Sequence, residues 1–298
     1  MTIIAAFPHG KRDRSALHLA AFIARSQGED LRIVSVVPEA GRGSIPSGSD
    51  LQFAAWAKKR ARQAVREAEQ AAAQICPDLS TEAVAVENRS RAKGILAEAA
   101  AHQATMIVLG SGTEGTRGRI RVSSTSDRLL HSSPVPVALA PKGFVAPERL
   151  TRVTCSFRPD TGAHAVLAAT AEFAGATCGR LRIATFGVSG RTVPPESVEE
   201  ESARKALVAE LKTVQAEAIG GLDETERGEG AAGESVADAV GIGKDWKAAL
   251  AAIEWEAGEL LVVGSSSAGR RSRVFLGTNA ARIIRHSQVP VIVMPWLK

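Results

Sequence analysis

Short, almost wholly apolar runs alternate along this chain with longer stretches whose apolar residues recur every three or four positions. Thr2–Phe7 is the first apolar run, bounded by Pro8 and Gly10, and predicts a buried strand. Ser15–Ser26 follows with Ala16, Leu17, Leu19, Ala20, Ile23 and Ala24 at helical spacing. Leu31–Val37 is rich in β-branched residues and predicts a second strand. Ser49 or Asp50 can cap a long helix through Ile75, whose stripe is Ala57, Ala61, Ala64, Val65, Ala68, Ala72 and Ile75. A strand at Ala83–Glu87, a helix at Ala92–His102, a strand at Met106–Leu109, a helix at Ser124–His131 and a strand at Val135–Ala140 complete the first half. Continuous apolar strands alternating with helices predict parallel sheets covered on both faces.

The pattern then starts again. Met106–Pro141 aligns without a gap on Leu260–Pro295. Val108, Gly110, Ser111, Arg117, Arg119, Arg128, Ser133, Val135, Pro136, Val137 and Pro141 find their own residue types at 262, 264, 265, 271, 273, 282, 287, 289, 290, 291 and 295. Two copies are too few for a solenoid, so the simplest account is a duplicated domain. The second copy opens at Arg152–Phe157 and carries a longer, acidic middle. There Pro194–Ala218 predicts a helix and Gly220–Gly233 a Gly/Glu-rich loop. The boundary falls near Gly143–Arg149, giving domains of residues 1–145 and 146–298.

Bulk composition narrows the function. A length of 298 residues suits two domains, and 45% hydrophobic with 23% charged residues is ordinary for globular chains. The three cysteines Cys76, Cys155 and Cys178 lack CxxC spacing, which argues against a disulfide framework or a zinc site and for a reducing compartment. No basic segment precedes the apolar start, and no apolar run reaches the ~18–20 residues that span a bilayer. A cytoplasmic protein without a membrane partner is expected. The net charge of +5 favours anionic ligands in general. With 4% aromatic residues and no tyrosine, stacking platforms for nucleic acid are scarce, so no specific nucleic-acid partner is expected.

Ligands of parallel α/β sheets sit at the carboxyl ends of strands, which directs attention to the loop after each fourth strand. In the second half this loop begins Gly264-Ser265-Ser266-Ser267 and ends Gly277-Thr278-Asn279 before a helix. Gly264 would turn the chain off the strand, the serines offer hydroxyls, and Gly277 permits close backbone approach. Helix-start N–H groups and the macrodipole favour phosphate there, with Arg270, Arg271 and Arg273 adding positive potential. The first-half counterpart offers Gly110, Ser111, Thr113, Ser123 and Ser124. Ser123 replaces the glycine before the helix and Glu114 adds negative charge, so this copy is expected to be weakened or empty.

These residues resemble the universal stress protein signature Gly-x2-Gly-x9-Gly-(Ser/Thr), which follows a fourth strand. Gly264, Ser267 and Gly277-Thr278 stand at its places, with Ser267 departing from the second glycine. The Val-Pro-Val runs at 135–137 and 289–291 also look like that family's last strand. The resemblance implies two tandem, doubly wound, five-stranded parallel-sheet domains of the adenine-nucleotide α-hydrolase-like type. It implies that paired domains within one chain replace the family's dimer, while a homodimer of the whole chain stays open. Some members bind ATP through the signature loop, with or without magnesium, and others bind none. Binders often carry an acidic residue directly after the first strand. That place holds Pro8 in the first half and Phe157 or Arg158 in the second.

Catalytic constellations are sparse. His9, His18, His102, His131, His164 and His286 form no Ser/His/Asp or HExxH arrangement, and no Walker lysine follows a Gly-rich loop. Asp127 and Asp160 are the acidic candidates for a phosphate-bound magnesium, although their spacing defines no metal site of its own. The expected function is a nucleotide-binding regulatory protein of the stress response, with ATP phosphates in the second-half loop. A nucleotide-free scaffold for an unknown protein partner is the alternative, with the acidic segments Glu196–Glu201 and Asp223–Glu234 as its docking candidates. A slow ATP hydrolase ranks third.

Overall fold

The computed structural model describes residues 1–39, 48–160, 162–188, 198–222, 236–265, 274 and 276–295. It divides into two compact units, Met1–Ala146 and Pro147–Lys298.

The first unit runs β1 (Thr2–Ala6), α1 (Ser15–Gln27), β2 (Asp30–Val37), α2 (Gly48–Ile75), β3 (Thr81–Glu87), α3 (Arg91–Ala101), β4 (Met106–Gly110), α4 (Ser124–Leu129) and β5 (Val137–Ala140). Its strands lie in the order β3-β2-β1-β4-β5, and each neighbouring pair is parallel. Ile3, Ile4, Leu31, Ile33, Ile107 and Leu139 are almost wholly removed from solvent. Each such side chain contributes about 1.5–3 kcal/mol on burial. On α2 the buried stripe is Ala57, Ala64, Ala68, Ala71 and Ala72, so small side chains let a long helix lie close against the sheet. Gly28 ends α1 at φ 64°, its N–H bonded to the Ala24 carbonyl, a left-handed cap that disfavours any residue with a Cβ.

The second unit runs β6 (Arg152–Ser156), α5 (Ala163–Ala176), β7 (Arg180–Val188), α6 (Val198–Gly220), β8 (Ala237–Gly243), α7 (Trp246–Ala251), β9 (Glu259–Gly264), α8 (Thr278–His286) and β10 (Val291–Met294). Its order is β8-β7-β6-β9-β10, again with parallel pairs. The repeat holds in three dimensions. Helices α4 and α8 start at Ser124 and Thr278, strands β5 and β10 at Val137 and Val291, and buried Ile120 finds its counterpart in buried Val274. Most of the acidic loop expected at Gly220–Gly233 lies outside the described residues.

Strand β5 starts two residues later than its apolar run suggests. The Ser133 hydroxyl accepts from the Val135 N–H (3.2 Å) and donates to the Val135 carbonyl (2.7 Å), holding that residue in a turn. Ser287 does the same to Val289.

At the amino end of the second sheet, the Glu259 carboxylate is fully buried. It accepts from Arg182 Nη2 (2.6 Å), Arg152 Nη2 (2.7 Å), the Glu256 N–H (3.1 Å) and the Thr154 hydroxyl. Burial holds Arg182 below its ordinary pKa, with Glu259 pulling it back up. In the first unit Arg32 plays a similar part between Glu82 and Glu98. These polar ends leave the opposite, carboxyl ends of the strands for a ligand.

Candidate functional site

Each unit has a cavity at the carboxyl ends of its strands, of about 890 Å³ in the first and about 660 Å³ in the second. Both fall in the ~300–1,000 Å³ range of small-molecule sites.

The first cavity draws on all five strand ends. Phe7, Pro8, His9, Lys11 and Asp13 come after β1, Val37 and Pro38 from the end of β2, and Asn88 and Arg89 after β3. Gly110–Thr113 come from the end of β4 and the turn beyond it, and Lys142 after β5. Phe7, Ala16, Val34 and Leu109 make an apolar floor. Six cationic side chains (Lys11, Arg12, Arg60, Arg89, Arg91, Lys142) stand on the walls against two carboxylates, Asp13 and Glu39. Such a surplus in a partly enclosed site concentrates anions.

The β1–α1 loop is held in place from α2. Gly10 turns the chain at φ 75° and donates its N–H to Glu67 Oε2 (3.0 Å). Arg14 Nη2 reaches Glu67 Oε1 (2.6 Å), and His9 Nδ1 lies 2.5 Å from Oε2. Burial pushes the Glu67 carboxyl up, but the bonds from Arg14, Gly10 and His9 outweigh it and leave the group below its ordinary pKa. Arg14 also covers the Phe7 ring at 4.4 Å. Asp13 accepts from the Ser15 N–H (3.0 Å) and hydroxyl, securing the start of α1.

The loop after β4 is closed on itself. The Gly112 N–H bonds to the Arg121 carbonyl (2.7 Å), the Gly115 N–H to the Gly112 carbonyl (2.9 Å), and the Arg121 N–H to the Ser111 hydroxyl (2.8 Å). Glu114 pairs with Arg121 at 2.9 Å, so its charge is answered within the loop. Ser123 caps α4 by accepting from the Ser126 N–H (3.1 Å). Several backbone donors on which a phosphate would rest are therefore already engaged. Two ammonium groups converge on Thr113 instead: Lys11 Nζ on its hydroxyl (2.7 Å) and Lys142 Nζ on its carbonyl (2.9 Å). Neither lysine makes an ion pair among the described residues. Gly110, Ser111, Thr113 and Ser123 thus reach this cavity, whereas Ser124 is not part of its lining.

The second cavity is lined by Phe157, Arg158, Asp160, Phe186, Trp246 and Arg282, with Gly264, Ser265, Gly277, Thr278 and Asn279. Gly264 does not sit in the left-handed region. A Cβ there would stand 2.9 Å from Val166 Cγ2, so close packing on α5, not a sharp turn, explains the glycine. The Ser265 N–H and hydroxyl both donate to the Met294 carbonyl, which turns them toward the sheet. Helix α8 begins at Thr278 without a side-chain cap on Gly277, leaving its first N–H groups for another acceptor. Ser266, Ser267, Arg270, Arg271 and Arg273 lie outside the described residues. Burial raises the pKa of Asp160, with Arg158 drawing it back.

Pro8, Phe157 and Arg158, directly after the first strand of each unit, all line the cavities. Carboxylates enter farther along the same loops, at Asp13 and Asp160. The pattern of the loop after the fourth strand does not point to Asp13, Lys11, Lys142, Asn88 or Trp56. Applying the strand-end rule to every strand, not only the fourth, would have found all but Trp56. Among the described residues no cluster of His, Cys, Asp or Glu has the arrangement of a metal site, and no helix is long and apolar enough to cross a membrane.

Fold and cavities together define a tandem of doubly wound parallel α/β domains, each open to a small molecule at the carboxyl end of its sheet. The sequence profile of the Universal stress protein family matches residues 1–141 and again 156–295. The chain belongs to that family. Universal stress protein Rv2319c of Mycobacterium tuberculosis is 35% identical over 296 residues, covering 99% of this chain and 100% of the relative. Universal stress protein Mb2346c of Mycobacterium bovis matches to the same extent. A solved universal stress protein from Archaeoglobus fulgidus superposes with a TM-score of 0.54 at 17% identity, covering 99% of this chain and 96% of that one. Protein PA1789 of Pseudomonas aeruginosa gives 0.56 at 15% identity, covering 99% and 92%. At such identities these structures speak for the fold alone.

Proposed function

We propose that the protein is a nucleotide-binding regulator of the stress response, and that its principal ligand, an adenine nucleotide such as ATP, occupies the first-half cavity. The supporting observation is the pairing of an apolar floor with a cationic wall in about 890 Å³. The base would lie over the floor, and the phosphates would meet Lys11 and Lys142 near Thr113. Side-chain cations, not the backbone of the loop, then carry most of the phosphate recognition, because the loop's own hydrogen bonds occupy much of that backbone. The second-half cavity, with Arg158, Arg282 and the uncapped start of α8, is proposed as the weaker site, which reverses the order expected from the two loop sequences because the cationic wall lies outside those loops.

Calorimetric titration of the full chain with Mg-ATP tests this reading. Lys11→Ala and Lys142→Ala should each weaken binding by about ten-fold, the scale of one charged hydrogen bond, while Arg158→Ala leaves the tighter site unchanged. Loss of binding only in Arg158→Ala would place the principal site in the second half. A nucleotide-free scaffold is the second reading, favoured by the self-satisfied loop after β4. It predicts no heat with any nucleotide.

A further inference from the structure

Helix α2 carries two large aromatic side chains that its packing does not need. Its buried stripe is alanine, yet Trp56 is 45% exposed and Phe53 38% exposed. Their ring centroids are 5.3 Å apart at a tilt of 42°. One turn on, the Arg60 guanidinium lies 5.3 Å from the Trp56 ring centroid. An exposed tryptophan forgoes much of the 150–250 Å² of burial that makes the residue worth having in a core. Trp56 and Arg60 both line the first cavity. Among the described residues the second cavity takes nothing from α6, the corresponding helix, and has Trp246 of α7 at its wall.

We infer that Trp56, backed by Arg60, is the stacking wall for the planar part of the ligand in the first-half cavity. The inference rests on the nucleotide reading and deepens it. Every nucleobase has a π-face, so a stacking residue recognises an aromatic ring without reading its edge. The guanidinium on the Trp56 ring would hold the indole in place while adding positive charge to the wall. The site should therefore distinguish nucleotides from simple polyphosphates and discriminate only weakly between ATP and GTP.

The test uses the full chain and three probes: ATP, GTP and inorganic triphosphate. Each is followed by calorimetry and by tryptophan fluorescence. Trp56→Ala should weaken ATP and GTP by about ten-fold and leave inorganic triphosphate unchanged. Trp56→Phe should restore most of the affinity but remove the fluorescence change that accompanies the tighter binding, leaving only what Trp246 at the second cavity's wall reports on the weaker binding. Equal weakening of all three probes would reveal a structural role and overturn the inference. So would ATP binding of equal strength in wild type and Trp56→Ala, which leaves the nucleotide reading standing. Failure of the wild type to bind ATP overturns both.

Discussion

Replacing Glu259 with alanine should be among the most damaging single changes in the second unit. The carboxylate is fully buried and accepts four hydrogen bonds, two of them from guanidinium groups. Arg182 is only 6% exposed, and burial already depresses its pKa with Glu259 in place. Without that carboxylate, two cations face each other in a site poorly reached by water. Removing one partner of a buried ion pair costs about 3–5 kcal/mol. With a urea m-value of ~2 kcal/mol/M, the transition that reports the second unit should fall by about 2 M at unchanged slope. Arg152 retains Glu256 Oε1 at 3.0 Å from its Nε, which keeps the loss toward the lower bound. Pairing Glu259→Leu with Arg182→Met should recover part of it, since the isolated cation is then gone. Urea unfolding monitored by circular dichroism reads these values. A loss below about 1 kcal/mol for Glu259→Ala would mean that water reaches the cluster, and the reasoning from burial would fail.

Other outcomes follow from the same geometry. Glu67 has a folded pKa below its ordinary 4.5, so its contribution is fully present above pH 4.5 and lost as pH falls through the lower folded value. The stability gap between wild type and Glu67→Gln should shrink as pH falls below 4.5, and a gap that widens in that acid range would contradict the assignment. Burial pushes the Cys155 thiol up to about 12 and Cys76 is also buried, whereas Cys178 is exposed. A thiol reagent should therefore modify Cys178 alone in the folded chain, as peptide mapping would show; rapid reaction at Cys155 would place it wrongly.

Much of the fold is legible along the chain because its signals are local. The β1 and β4 runs are continuous and apolar, β2 is rich in β-branched residues, and α1 shows helical spacing capped by Gly28. The duplication fixes the second unit's last elements from the first. The late start of β5 depends on a single serine side chain folding back, which periodicity does not register. The site is less legible because its residues converge from distant places. Lys11 and Thr113 are brought together across 102 positions, and Gly10 and Glu67 across 57. The glycine pattern marks the loop after the fourth strand, but it does not show that this loop's donors are spent internally in the first half. The reason for Gly264 is likewise a neighbour, Val166, far away in sequence. Trp56 escapes notice because it and Phe53 lie off the alanine stripe that helical spacing picks out on α2.

The central claim, an adenine nucleotide held principally in the first-half cavity, is tested most directly by photo-crosslinking the full chain with 8-azido-ATP and locating the label by peptide mass spectrometry. Saturable labelling within residues 1–146, at peptides containing Trp56 or Pro38 and suppressed by excess ATP, is the predicted result. Labelling confined to residues 147–298, or labelling that excess ATP does not suppress, would contradict it.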